Sequence, residues 1–146
     1  MESDWLSYIP TMTVVINFTC KYARLATVLR HASKSLIELI DSCPIVGDRK
    51  YITVDVKKQD LKIGQYTCIP GYHRDSIADP SPLHHIIVFG HNRTEFKEYG
   101  KIPEGKWFTY GLDYHRGPKV VVDETRILVR VTESNVIKGN SKISKL

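Results

Sequence analysis

The chain has 146 residues, of which 42% are hydrophobic and 25% charged, with a formal net charge of +5. This length and balance suit one globular domain, and no apolar run approaches the roughly 20 residues that span a bilayer. The short apolar stretch that begins at residue 12 follows two acidic residues, so it lacks the basic start of a signal peptide. The charge suits an anionic partner, a small molecule or a nucleic acid, although the basic residues are scattered and no nucleic-acid motif is present.

The three cysteines, Cys20, Cys43 and Cys68, are odd in number and show no CxxC spacing. A disulfide framework or a four-cysteine zinc site is therefore not expected, and a reducing compartment is the simpler interpretation. We predict a cytoplasmic protein. Cys68 falls on a predicted strand, where we expect a buried structural thiol rather than a nucleophile.

The N-terminal third predicts a short strand followed by one long helix. Residues 13–18 (TVVINF) are typical of a buried strand. Between residues 21 and 41 the apolar side chains recur at steps of three and four, which predicts an amphipathic helix that Pro44 ends. Its apolar stripe would cover one face of a sheet.

From residue 51 onward the pattern changes to period two, which predicts strands. They are expected at 51–56, 65–69, 84–89, 94–99, 107–115, 120–122 and 126–132, with a polar turn at 57–64. Because no helices separate the later strands, an antiparallel sandwich or small barrel is favoured over a βαβ fold. We predict a mainly-β single domain over 1–146, with a strand and helix in 1–46, a β-barrel core in 47–134 and a polar tail in 135–146.

A histidine and a carboxylate two residues apart, His73 and Asp75, follow a predicted strand end. On a strand, residues i and i+2 point to the same face, so both side chains can converge on one point. His115 ends another predicted strand, on the side that carries small and polar residues. Two imidazoles and one carboxylate are the ligands that hold Fe(II) with open positions opposite, so we predict a metal site.

Other histidines leave alternatives open. His84 and His85 are adjacent, so they face opposite sides of their strand, and one could replace Asp75 in a three-histidine zinc site. Alternatively, one packs against the core while the other is solvated. A histidine and an aspartate at this spacing also often form a simple surface hydrogen bond.

Two arginines, Arg126 and Arg130, share one face of the last predicted strand. An arginine that faces a cavity can clamp a carboxylate through two parallel hydrogen bonds. The alternative for Arg126 is a salt bridge to a neighbour such as Glu124.

The order HxD, a distant histidine and an arginine on the following strand resembles the double-stranded β-helix of the Fe(II)- and 2-oxoglutarate-dependent oxygenases and their cupin relatives. The resemblance implies that His73, Asp75 and His115 hold iron and that Arg126 holds the far carboxylate of 2-oxoglutarate. Arg130 is the second candidate cofactor-binding residue. Residues 68–75 (CIPGYHRD), 115–118 (HRGP) and 126–133 (RILVRVTE) are also similar to segments of small phage-type proteins.

These features lead to one principal hypothesis and two rivals. The first is a non-haem iron dioxygenase that uses 2-oxoglutarate on an unknown substrate. The second is a non-catalytic phage-type protein of the same fold that sequesters a nucleotide in the host cytoplasm, with Arg116, Arg126 and Arg130 contacting phosphate. The third is a purely structural protein whose histidines only pack.

Overall fold

The computed structural model describes residues 14–75, 78–137, 139 and 142–146. Its elements, in chain order, are β1 (Phe18–Arg24), α1 (Leu25–His31), α2 (Lys34–Asp41), β2 (Tyr51–Leu61), β3 (Leu83–Phe89), β4 (Glu95–Phe96), β5 (Gly100–Lys101), β6 (Phe108–Tyr110), β7 (His115–Arg116), β8 (Glu124–Ser134) and β9 (Ile143–Lys145). The predicted mainly-β class is confirmed, and every strand pair is antiparallel. Neither helix of the described residues is long and apolar enough to cross a membrane.

The larger sheet has six strands in the order β6-β3-β8-β2-β1-β9. At its centre, all 11 residues of β2 pair with β8, which fixes the two faces of both strands. One face buries valines such as Val54 and Val129 against the helices in the main core. The opposite face carries polar residues in register, with Asp55 opposite Arg130 and Gln59 opposite Arg126. The side-chain alternation of two long strands therefore separates an apolar face from a polar one.

The single helix predicted over residues 21–41 is instead two short helices. The backbone at Ala32 is extended, with φ −71° and ψ 143°, which ends α1. Ser33 then starts α2 by accepting a hydrogen bond from the Leu36 backbone N–H on its side-chain oxygen at 3.2 Å. The first residues of the predicted helix belong to β1. The apolar stripe still covers the sheet, as expected, because Val28 and Leu36 are both fully buried in the main core.

Several strand limits also differ from the predictions. The polar turn expected at 57–64 is wrong in its first half, because β2 continues to Leu61. The strand expected at 65–69 is reduced to an isolated bridge between Tyr66 and Lys119. Of the strand predicted at 13–18, residues 14–17 are not a strand, and residue 13 lies outside the described residues. Residues 138, 140 and 141 of the predicted tail also lie outside them. Within that tail, β9 pairs with β1.

The smaller sheet has the order β5-β4-β7, and a bridge between His73 and His115 adds the 72–74 segment beside β7. A second apolar cluster, which includes Phe96, Tyr110 and Leu128, is formed by residues of both sheets. The polar face of the larger sheet and the smaller sheet thus enclose a cleft between them.

Candidate metal and anion site

His73 and His115 are brought together by their backbones. Each residue donates its backbone N–H to the carbonyl of the other, at 2.8 and 2.9 Å, and their ring centroids are 4.7 Å apart. Asp75 follows two residues after His73, and one ligand atom from each of the three lies within 4.8 Å of the others. The three residues predicted from sequence as metal ligands therefore meet at one point.

Both imidazoles are oriented by backbone carbonyls. The Nδ1 atom of His115 lies 3.0 Å from the Asp113 carbonyl oxygen, and that of His73 lies 3.3 Å from the Gly71 carbonyl oxygen. A carbonyl oxygen can only accept, so each Nδ1 must carry the proton and donate it. The Nε2 atom of His115 lies 3.1 Å from Asp75 Oδ1. A proton on that nitrogen or a cation between the two atoms is needed there, because a bare ring nitrogen and a carboxylate oxygen are both acceptors.

Asp75 is held by several partners inside the cleft, where its side chain is only 8% exposed. Arg130 Nη1 lies 3.0 Å from Oδ1, and the Tyr110 hydroxyl donates to Oδ2 at 2.9 Å. Burial acts to raise the pKa of Asp75, but the hydrogen bond from His115 and the positive charge of Arg130 outweigh it and hold the pKa well below its usual range. Asp75 is therefore a carboxylate under ordinary conditions.

Arg130 lies between two carboxylates. Besides Asp75, its guanidinium forms a short ion pair with Asp55, its partner on β2, and its Nη2 lies 3.4 Å from the Tyr22 hydroxyl. Tyr22 lies on this side of the sheet because of a bulge in β1, where its φ is 51° and where Cys20 and Ala23 both remain in the main core. The charge of Arg130, predicted to bind a cofactor, is thus balanced within the protein.

Arg126 lies in a different environment. It is only 3% exposed, and its Nη1 and Nη2 atoms donate to Gln59 Oε1 at 2.9 Å and to Thr94 Oγ1 at 3.3 Å. Its Nε has no hydrogen-bond partner, and no carboxylate of the described residues lies within 4.0 Å of it, so the predicted alternative of a salt bridge to Glu124 is not formed. Burial lowers the pKa of Arg126 to about 10, which leaves it charged at neutral pH.

The three predicted ligands and both arginines line one cleft of about 340 Å³. Lys21 and Lys57 also line it, and burial together with the nearby charge of Arg130 lowers the pKa of Lys57. Arg126 and Arg130 together equal the charge of Asp55 and Asp75, so the excess of positive charge in the cleft comes from Lys21 and Lys57.

One wall of the cleft depends on a glycine in the 115–118 segment. A Cβ on Gly117 would lie 2.1 Å from Thr67 Oγ1 and 2.9 Å from Cys68 Cβ, so only glycine allows these two segments to approach so closely. Cys68 itself is exposed, which corrects the expectation of a buried thiol.

The two adjacent histidines face opposite sides of β3, as predicted, but neither is solvated, since their exposed fractions are 0% and 1%. His84 faces the cleft: its Nδ1 lies 2.8 Å from Thr132 Oγ1, its unpartnered Nε2 lies 3.5 Å from Asp75 Oδ2, and burial lowers its pKa to about 4. His85 faces the other side and pairs with Glu133 at 2.6 Å. Only His84 is therefore close enough to act in the site.

Sequence reasoning missed Asp55 and gave Tyr22 no role, although both belong to the ion-pair network. The available signal was Asp55 itself, a carboxylate between two valines in the predicted strand at 51–56, where a buried charge requires a partner. Comparison with protein-family models, with curated proteins and with solved structures finds no match for this chain.

Proposed function

We propose that the cleft binds a divalent metal ion through His73, Asp75 and His115, together with a small carboxylate-bearing ligand on Arg126. The observation that carries this proposal is the pair of backbone carbonyls that accept from the two Nδ1 atoms. Metal-binding histidines almost always donate their second ring N–H in this way, because it fixes the tautomer and leaves the other nitrogen free to bind. A carboxylate held in its ionised form completes the set.

Fe(II) and 2-oxoglutarate are the pair that best fits these residues. Two imidazoles and one carboxylate leave open coordination positions on iron, and a buried arginine without a carboxylate partner suits the far end of a dicarboxylate. When bound, this pair would supply the oxidation of a substrate C–H bond by dioxygen. We therefore infer an oxygenase of the Fe(II)/2-oxoglutarate type.

The order of the strands supports a double-stranded β-helix. β2, β3, β6 and β8 are neighbours in the larger sheet, while β4, β5, β7 and the 72–74 segment associate in the smaller one. Eight strands that alternate between two antiparallel sheets in this manner are typical of a jelly roll. The candidate ligands then lie on the inner side of the smaller sheet and Arg126 on the facing strand.

The protein's own residues have separate tasks in this proposal. Arg130 and Tyr110 fix the orientation of Asp75 through contacts of 3.0 and 2.9 Å. Gln59 and Thr94 hold the two terminal nitrogens of Arg126, which keeps its guanidinium oriented toward a ligand. Ile86 and Leu128, both nearly buried, give the cleft an apolar wall that limits the access of water.

A second function is favoured by one observation. Asp75 already accepts hydrogen bonds from His115 and Tyr110 and pairs with Arg130, so its oxygens have partners without a metal ion. The same cleft could then hold an anion such as a nucleotide on its unbalanced positive charge, without turnover. This module would bind its ligand equally well in the presence of a chelator.

The test is an anaerobic Fe(II) titration of untagged protein, followed by metal analysis after desalting. We expect about one iron per chain in the wild type, loss of that iron in His73→Ala, and retention in His91→Ala, a control at an exposed histidine in a turn. Iron-loaded wild type should convert 2-oxoglutarate to succinate, and Arg126→Leu should weaken 2-oxoglutarate binding while keeping the iron.

Two results would decide against the oxygenase. Wild type that binds no iron under these conditions contradicts the metal site. If that protein binds nucleotides in EDTA, and Arg126→Leu loses this binding, the non-catalytic function is supported instead. Iron retained in His73→Ala at the wild-type level would show that iron binds elsewhere.

A further inference from the structure

The outer face of the smaller sheet carries exposed tyrosines with cations over their rings. We call this the tyrosine face and define it by Tyr66, Tyr72, Arg74, Lys97, Tyr114, Arg116 and Lys119. Its three tyrosines are 40 to 50% exposed. The guanidinium carbon of Arg74 lies 4.4 Å from the centre of the Tyr114 ring, and that of Arg116 lies 4.6 Å from the centre of the Tyr72 ring.

The register of the sheet explains this arrangement. Because His73 and His115 form the bridge and point into the cleft, the flanking Tyr72, Tyr114 and Arg116 point outward. Arg74 borders the cleft, and its guanidinium lies over the outward ring of Tyr114. Each outward tyrosine then lies directly across from the arginine beside the other histidine. The second bridge, between Tyr66 and Lys119, brings Lys119 Nζ to 6.0 Å from the Tyr66 ring centre. The same two short segments thus supply the inner ligands and the outer face.

The charge of this face is strongly unbalanced. Lys97 Nζ lies 5.9 Å from the Tyr114 ring and adds a fourth cation. Among the described residues, the carboxylate in contact with these cations is that of Glu95, whose Oε1 lies 2.8 Å from Arg116 Nε. Four cations and one carboxylate give a net charge of +3 over three accessible rings.

We propose that the tyrosine face binds single-stranded nucleic acid. Proteins that bind single strands combine cations that follow the phosphates with aromatic rings on which the bases stack, and both are present here in alternation. An acidic peptide would need only the cations, so the exposed rings favour a ligand that has bases as well as charge. On binding, a guanidinium can leave its ring for a phosphate while a base takes its place on the ring. This proposal does not depend on a metal ion in the cleft.

The experiment is fluorescence anisotropy of a labelled 20-nucleotide single strand, in EDTA, over a series of salt concentrations. We expect binding whose affinity falls as salt rises, because phosphate contacts release counterions. Tyr72→Ala and Tyr114→Ala should each weaken binding by about tenfold, whereas Tyr72→Phe should bind like the wild type because it keeps the ring. Arg74→Gln should weaken binding and reduce the slope against log salt by about one.

Controls separate stacking from charge and from misfolding. Tyr99→Ala removes an exposed tyrosine of the turn between β4 and β5 and should not change the affinity. If charge alone holds heparin on this face, heparin should displace the labelled strand from wild type and bind Tyr72→Ala with the same affinity as wild type. Every variant should keep the wild-type circular dichroism spectrum. No binding at 50 mM salt would overturn the proposal. The proposal would also be overturned if the protein bound single strand, duplex and heparin with equal affinity and if the tyrosine variants left these affinities unchanged.

Discussion

Arg130 and Arg126 lie on the same face of β8, but only Arg130 has carboxylate partners among the described residues. Arg130 has two carboxylate partners, Asp55 and Asp75, and its side chain is 13% exposed. Arg126 is more deeply buried, at 3%, and is held by an amide and a hydroxyl that balance no charge. A buried guanidinium without an anion is costly for a folded protein, so an external anion is the natural partner for Arg126 but not for Arg130.

Asp55→Asn should strongly destabilise the protein. It would leave Arg130, in a largely buried position, with Asp75 as its only carboxylate partner. Arg130 keeps one carboxylate, so the loss is that of one charge-assisted hydrogen bond, and we expect about 1.5 to 3 kcal/mol in urea denaturation. Asp60→Asn is the matched control, because Asp60 lies on the same strand and is exposed, and its carboxylate accepts a hydrogen bond from the Thr125 hydroxyl. Wild-type stability of Asp55→Asn would contradict the importance of this pair.

At the scale of elements, the short strand β4 supports the candidate metal site through the ring of Phe96. Phe96 is 1% exposed, and its centroid lies 4.7 Å from those of Phe108 and Tyr110 and 5.2 Å from that of His115. β4 also pairs with β7, the strand that carries His115. Packing and pairing together therefore fix the position of one candidate ligand.

Phe96→Ala should disturb both stability and metal binding. We expect a loss of about 3 to 5 kcal/mol in the free energy of unfolding, as for other large cavities in a core. Fe(II) affinity should fall by roughly tenfold or more, since the support of His115 is lost. Phe96→Leu, which refills most of the volume, should cost less than about 2 kcal/mol and keep most of the affinity. Unchanged iron affinity in a folded Phe96→Ala protein would show that His115 is held by its backbone alone.

The strands β3 and β8 and the apolar stripe of the two helices were predictable because the periodicity of their apolar residues is strong. β3 and β8 lie close to the strands predicted at 84–89 and 126–132. The helix break at Ala32 was not predictable from periodicity, because the apolar spacing continues through it while the chain turns to start α2 at Ser33. The extension of β2 through polar residues was missed for a similar reason. Pairing with β8, a distant segment, determines it, and single-sequence patterns do not report such pairing.

The convergence of the three candidate ligands was predictable from sequence, but the ion pairs beside them were not. The two-residue spacing of His73 and Asp75 is local information, and so is the position of His115 at the end of a predicted strand. The contact between Asp55 and Arg130 depends on the register between β2 and β8, 75 residues apart in sequence. Such a register is set by the whole sheet, so it appears only in the folded protein.

At the scale of the whole molecule, three carboxylates connect separate parts of the chain to β8. Glu124, at its start, accepts from the backbone N–H groups of His91 and Asn92 at 2.8 and 2.9 Å. Glu133, near its end, accepts from those of Val46 and Gly47, between α2 and β2, at 3.0 and 2.7 Å. Asp79 accepts from Asn135 N–H at 2.7 Å. These contacts attach three loops to β8 or to the residue that follows it.

These carboxylates should make the protein sensitive to acid. For Glu124 and Glu133, burial alone would raise the pKa, but the hydrogen bonds that they accept lower it below its ordinary value, and the bond from Ser81 chiefly lowers that of Asp79. A carboxyl group with a lower pKa in the folded state binds fewer protons there than in the unfolded chain. Its stabilising contribution is therefore complete above the unfolded pKa and is lost as the pH falls through the folded pKa.

Urea denaturation of Glu124→Gln at a series of pH values isolates one of these contributions. Relative to wild type, the variant should be less stable at pH 7, and the difference should shrink as the pH falls below about 4.5, because protonation removes the same charge from the wild type. Other titrating groups are common to both proteins, so they cancel in the comparison. Glu98→Gln, at an exposed position in the turn after β4, should follow the wild-type curve at every pH. A difference between Glu124→Gln and wild type that stays constant from pH 7 to pH 3 would mean that Glu124 contributes through packing rather than through its charge.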